Sequence, residues 1–260
     1  MKLGIEGRRA IVCASSRGLG LACATSLARE GAIVHLNGRD HARLEAAAEL
    51  IRAEVAGAQL HCVQGDLTTQ QGRAALVEAC PDADILVNNN AGPEPGKLED
   101  WDHAAWLSAF EANMIPAILL IRAVLPGMRA RQFGRIVNIT SAMVKSPRSF
   151  MGLSTAARAG LTAVCKAISK DVARDNVTIN NMLPERFDTG RQEYLAQKAM
   201  AERGITRDAA RREISDTIAA RRFGQPHEFG DTCAYLCSVQ ASFISGQNLQ
   251  LDGGSYDGLV

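Results

Sequence analysis

Short apolar runs alternate with helical patterns along this chain, and no other sequence feature restricts the fold as much. Residues 9–13, 32–36, 60–63, 85–87, 135–139, 177–180 and 248–251 are strand-length runs rich in Val, Ile and Leu. Between the second and third runs, Leu44, Ala47, Ala48, Ile51 and Val55 recur at helical spacing. Apolar strands separated by helices belong in a parallel sheet covered on both faces. The pattern therefore predicts an α/β fold, a Rossmann-like doubly wound parallel sheet, with residues 1–260 forming a single domain. A charge-rich stretch over about 185–222 has weak helical periodicity and is too long for an ordinary connection. It reads as a substrate lid.

Composition narrows the function classes. With 47% hydrophobic and 22% charged residues, the chain can bury a large core. Its 29 basic and 28 acidic residues leave a net charge of +1, which gives no field for nucleic acid or a membrane surface. The longest uncharged run, 232–251, is interrupted by Ser, Gln, Gly and Asn, short of the roughly 20 mostly apolar residues of a bilayer span. The first nine residues lack the apolar stretch of a signal peptide. Seven cysteines show no metal-ligand spacing; Cys233 and Cys237 stand one helical turn apart. They read as reduced thiols of a cytoplasmic protein whose partner is a small molecule.

Directly after the first apolar run comes Ala14-Ser15-Ser16-Arg17-Gly18-Leu19-Gly20, opening into a helix. Glycines at such a junction let backbone N–H groups approach a pyrophosphate, and the helix N-terminus favours its charge. Ser16, Arg17, Gly18, Leu19 and Gly20 are the candidate contacts. The second strand ends Leu36-Asn37-Gly38-Arg39, without the acid that usually binds a ribose 2′-hydroxyl. Arg39 with Arg17 could instead clasp a 2′-phosphate, so the cofactor expected is NADP(H). Asp40 reads as the cap of the next helix.

Further segments fall in a recognisable order: Asp66-Leu67, Asn89-Asn90-Ala91-Gly92, Pro184 to Thr189, Arg222-Phe223-Gly224-Gln225-Pro226-His227-Glu228, and Asp252-Gly253-Gly254. Over essentially its whole length the chain resembles the short-chain dehydrogenase/reductase family, in its 3-oxoacyl-acyl-carrier-protein reductase-like branch. Of that family's T-G-x-x-x-G-x-G, Gly18 and Gly20 match, while Cys13 and Ala14 replace the Thr and first Gly. The resemblance implies that Asp66 and Leu67 bracket adenine, Asp66 also reading as a helix cap. It implies nucleotide contacts at Asn89, Ala91 and Gly92. It places Pro184 and Thr189 at the nicotinamide carboxamide, with Glu185 where Gly is usual. It also implies a homodimer or homotetramer built on the helices over 117–130 and 156–173, with help from the C-terminal tail.

The family works with four residues: a Ser that orients the carbonyl, a Tyr that transfers the proton, a Lys that binds ribose, and an Asn that anchors water. By resemblance Ser141 and Asn113 are present, although each also reads locally, as a cap and as a kink ahead of Pro116. The Tyr and Lys positions carry Ser154 and Arg158. An aliphatic hydroxyl is a far weaker acid than a phenol. Arg158 is expected to stay protonated to about pH 12, able to hold ribose hydroxyls but not to shuttle a proton. Tyr194 and Lys198 spell the missing motif inside the presumed lid, away from the helix that should carry it. Lys145, four residues past Ser141, is a further proton carrier beside Ser154 or water. Two functions follow. One is an NADP(H)-dependent oxidoreductase of carbonyls and secondary alcohols with an atypical site; the other is a catalytically silent nucleotide-binding protein on the same fold.

Overall fold

The computed structural model describes residues 2–259. Its strands are β1 (Arg9–Val12), β2 (Ile33–Gly38), β3 (Leu60–Gln64), β4 (Ile85–Asn88), β5 (Gly134–Ile139), β6 (Val177–Pro184) and β7 (Asn248–Leu251). They form one sheet in the order β3-β2-β1-β4-β5-β6-β7, and every neighbouring pair is parallel. The order reverses between β1 and β4, which opens a crevice at the carboxyl ends of the strands.

Alternate strand residues serve opposite faces. Ala10, Val12, Ile85 and Val87 pack with α1 (Gly18–Arg29), α2 (His41–Glu54) and α9 (Pro226–Leu236). Ile11, Leu86, Ile136 and Ile179 pack with α3 (Gln70–Ala79), α5 (Ile115–Ala130) and α6 (Gly152–Val172). Burial on both faces explains why the strands read as apolar runs. Local chemistry sets the helix starts. Asp40 accepts from the Arg43 N–H at 3.1 Å to cap α2, as its position suggests, and Asp102 caps α4 (His103–Asn113) through Ala105 N at 2.8 Å.

Several boundaries differ from the sequence reading. β6 runs to Pro184 rather than stopping at Asn180, because Asn180 and Asn181 are paired inside the sheet instead of breaking it. The stretch over 185–222 holds two helices, α7 (Gly190–Arg203) and α8 (Arg207–Ser215). Their apolar signal is weak because most of their residues face solvent. Helices α4 and α5 run nearly end to end, and His103–Ala130 is the one stretch among the described residues long and apolar enough to cross a membrane. Charge-free length alone misses it, since Glu111, Arg122 and Arg129 interrupt the run.

Candidate active site

The turn after β1 keeps the shape of a phosphate cradle despite its substitutions. Ala14 adopts φ 45°, a left-handed conformation that glycine takes at no steric cost. Asn37 holds it there, its Oδ1 accepting from Ala14 N at 3.2 Å while its amide donates to Val63 O and Gly65 O. The side chain of Asn37 thus ties three strand ends together. Gly18 has φ +61°, and a Cβ there would meet nothing within 4 Å, so its backbone is open to a ligand. Gly20 serves packing: a Cβ would lie 2.5 Å from Ala14 O and 2.8 Å from Asn89 Nδ2. Asn89 in turn donates to Ala14 O at 3.2 Å, joining the turns after β1 and β4.

Arg17 and Arg39 are exposed, and neither side chain makes a hydrogen bond or ion pair within the described residues, although Arg39 lies in the field of Asp66. Ser16 Cβ lies 3.5 Å from the point where a Gly38 Cβ would stand, so Arg17 and Arg39 each follow a residue of one close approach between the turn after β1 and the end of β2. Asp66 accepts from Thr68 N at 2.9 Å and Thr68 Oγ1 at 2.8 Å, and these bonds hold its carboxyl below the usual range. It closes a turn rather than capping α3; that cap is Thr69, which accepts from Gly72 N at 3.0 Å. Leu67 is buried in the core. Thr189 stands at the N-cap of α7, yet its side chain makes no capping bond, so the hydroxyl is available at the edge of the Pro184 loop.

At the other end of the crevice the structure brings Asn113 and Ser154 onto the side chain of Arg158, and Ser141 follows Thr140, whose carbonyl Arg158 also meets. Arg158 is 8% exposed, and all five of its N–H groups meet protein acceptors. Nε donates to Ser154 Oγ at 3.2 Å, Nη1 to Ile139 O at 2.7 Å and Thr140 O at 2.9 Å, and Nη2 to Asn113 Oδ1 at 3.0 Å and Asn90 O at 3.3 Å. One guanidinium thus links the ends of β4, β5, α4 and α6. A ribose hydroxyl could be reached only by exchanging one of these bonds. Burial pulls its pKa down to about 10, not the 12 expected from sequence, so it remains a cation at neutral pH.

Ser154 is buried and accepts from Arg158, which leaves its own O–H to donate elsewhere. Gly92 borders the pair: a Cβ there would lie 3.4 Å from Arg158 Nη2 and 3.7 Å from Ser154 Oγ. Ala91, next to it, donates its backbone N–H to Asn90 Oδ1 at 2.9 Å. Ser141 caps a short 3₁₀ turn by accepting from Met143 N at 3.2 Å, so the capping role is real, and its hydroxyl proton is likewise unspent. Asn113 ends α4, buried, beside a cavity of about 20 Å³ bounded also by Asn88, Asn90 and Arg158. That volume suits one water molecule. The Lys145 ammonium lies 5.4 Å from the Tyr256 ring centroid. Tyr194 and Lys198 lie exposed on α7, where Lys198 pairs with Glu202 at 3.7 Å.

Sequence reasoning missed the polar spine beneath this site. Asn88, Asn138, Asn181 and Asn248 stand in register on four adjacent strands. Each passes its amide to the next, at 2.9, 2.9 and 2.8 Å. The signal was an asparagine within or next to four consecutive apolar runs, a pattern that needs strand register before it means anything.

Fold and site together define a doubly wound protein with a nucleotide crevice at its strand-order reversal. A family profile described as enoyl-(acyl carrier protein) reductase matches residues 13–256. The chain belongs to the short-chain dehydrogenase/reductase family. It is 30% identical over 258 residues to the uncharacterized oxidoreductase YvaG of Bacillus subtilis, covering 98% of each chain. It is 29% identical over 252 residues to the NADPH-dependent reductase BacG of Bacillus subtilis, covering 95% of this chain and 97% of the relative. A structure of L-sorbose reductase from Gluconobacter frateurii, complexed with NADPH and L-sorbose, superposes with a TM-score of 0.95 at 29% identity, covering 100% of both chains.

Proposed function

We propose that the protein is an NADP(H)-dependent oxidoreductase that interconverts a carbonyl and a secondary alcohol through an atypical site. The observation that carries this reading is the buried Ser154 hydroxyl with the buried cation of Arg158 behind it, while Ser141, just past the end of β5, keeps its own hydroxyl proton unspent. NADP(H) suits the crevice: Gly18 offers open backbone, Arg17 and Arg39 offer unspent donors, and Thr189 has a free hydroxyl beside the Pro184 loop. When bound, it supplies or accepts a hydride. As negative charge builds on the carbonyl oxygen, Ser141 and Ser154 donate to it and Arg158 stabilises it through Ser154. The proton then comes from water held near Asn113, since neither serine is acidic enough to supply it. Of the bonds of Arg158, the one to Asn90 O is the longest and the one a ribose hydroxyl would replace.

The substrate is of the 3-oxoacyl type or a related keto compound, and α7 with α8 forms its lid. The free thiols of all seven cysteines suit the cytoplasm. Homodimers or homotetramers would use α5 and α6. The silent reading has one observation in its favour, that every N–H of Arg158 is already satisfied without a ligand. Titration with NADPH and NADH, followed by NADPH oxidation against a panel of ketones, decides between them. NADPH should bind more tightly, Arg39→Ala should weaken it by about 1–3 kcal/mol with NADH little changed, and some ketone should turn over. Tight NADPH binding without turnover of any ketone would establish the silent protein.

A further inference from the structure

The mouth of the cleft carries charges that the chemistry just described does not use. Glu185 stands where the family has glycine, and its carboxylate lies 3.5 Å from Arg148 Nη2. This pair joins the segment after β5 to the segment after β6, on either side of the site. Arg186 lies beside it, within the field of both charges. The Nε of Arg186 is buried and has no acceptor among the described residues, and its Nη groups likewise make no hydrogen bond or ion pair to the protein. Other cations at the mouth are engaged: Arg191 pairs with Glu94 at 2.8 Å, and Lys145 lies over the Tyr256 ring.

The backbone presents Arg186 from a fixed point. Gly224 N donates to Arg186 O at 2.9 Å, and Phe187 forms a parallel bridge with Gly224. Ile139 pairs with Met182, so continuing the register sets Ser141 opposite Pro184, two residues before Arg186. Two extended residues span about 7 Å. A buried N–H without an acceptor is costly and uncommon, so the guanidinium is under-satisfied, and its Nη groups, which are not buried, are the ones a ligand oxygen can reach. The guanidinium edge is a planar fork that matches the two oxygens of a carboxylate.

We propose that Arg186 anchors a carboxylate on the substrate, so that the reacting carbonyl or alcohol belongs to a short oxo or hydroxy acid. Glu185 and Arg148 set the position of the fork. The inference rests on the oxidoreductase reading of the cleft, and it is tested by binding rather than turnover. NADPH-loaded protein is titrated calorimetrically with 2-hydroxybutyrate and 3-hydroxybutyrate, and with the amide of each. Reduced cofactor and reduced ligand cannot react. At least one acid should bind tenfold or more tightly than its amide. Arg186→Gln should erase that difference while NADPH affinity stays the same, and Arg186→Lys should keep part of it. Equal binding of acids and amides to the wild type, or no binding of either, would overturn the proposal without recourse to any variant. So would discrimination that survives Arg186→Gln, or tighter binding of a phosphate ester of the same length. Failure of the protein to bind NADPH at all would remove the oxidoreductase reading, and this inference with it.

Discussion

The two ends of the crevice have absorbed their departures from the family in opposite ways. At the β1 end the changes are conformational. Ala14 stands in for a glycine and takes φ 45°, Asn37 pins it, and the glycines at 18 and 20 keep their distinct tasks of open backbone and close packing. At the β5–β6 end the changes are chemical. Arg158 and Ser154 replace the amine and the phenol, and the surroundings have been organised around a guanidinium with five bonds. A backbone shape survives substitution at a small cost in strain. A proton donor does not survive the loss of its acidic group, and only a different way of stabilising charge can stand in its place.

The largest effect is expected at Arg158. If that guanidinium organises the reaction end, Arg158→Ala leaves buried acceptors from β4, β5, α4 and α6 unmet and should lower unfolding free energy by about 3 kcal/mol or more. Arg158→Lys, with three donors, should recover part of it. Urea denaturation measures both, and a loss under about 1 kcal/mol for the alanine variant would show that the network is dispensable.

Acid should act on the nucleotide end. His35, on β2, is buried with Nδ1 unpartnered and stacks on His61 with ring centroids 4.6 Å apart. Burial, then the neighbouring His61, pulls its pKa down to about 4 from 6.5. The unfolded chain therefore binds a proton below pH 6.5 that the folded chain refuses until about pH 4. Stability contributed by this group is intact above pH 6.5 and falls by about 3 kcal/mol as the pH drops to 4. Denaturation at a series of pH values should show that slope in the wild type and much less of it in His35→Leu. Parallel curves would show that His35 does not set the acid sensitivity.

A smaller effect is expected at the β1 turn. Ala14→Gly relieves a left-handed alanine, offset in part by the freer unfolded chain, and should stabilise the protein by about 0.5–1 kcal/mol. A destabilisation would mean that the methyl group packs usefully and that the turn is not strained.

Most of the fold was legible because each strand is buried on both faces and announces itself as an apolar run. The asparagines marked where that legibility ended. The apolar run reads as ending at Asn180, yet Asn181 belongs to an amide ladder that only strand register reveals. At the site, resemblance located Ser154 and Arg158 but not the direction of the arginine. Whether a guanidinium faces a ligand or its own carbonyls depends on where five acceptors lie, and those acceptors come from segments up to 68 residues away. Asp66 shows the same limit on a small scale, since the choice between helix cap and turn depends on the geometry of Thr68 and Thr69.

In the proposed reaction the Ser154 hydroxyl, backed by Arg158, stabilises the charge that forms on the substrate oxygen. Ser154→Ala removes that donor while leaving the crevice for the nucleotide untouched. Steady-state NADPH oxidation with a ketone that the wild type reduces should then show kcat lower by about a hundredfold, with the Kd for NADPH unchanged, as for the loss of one donor to a developing oxyanion. A kcat equal to that of the wild type would contradict the claim and place the reacting oxygen away from Ser154.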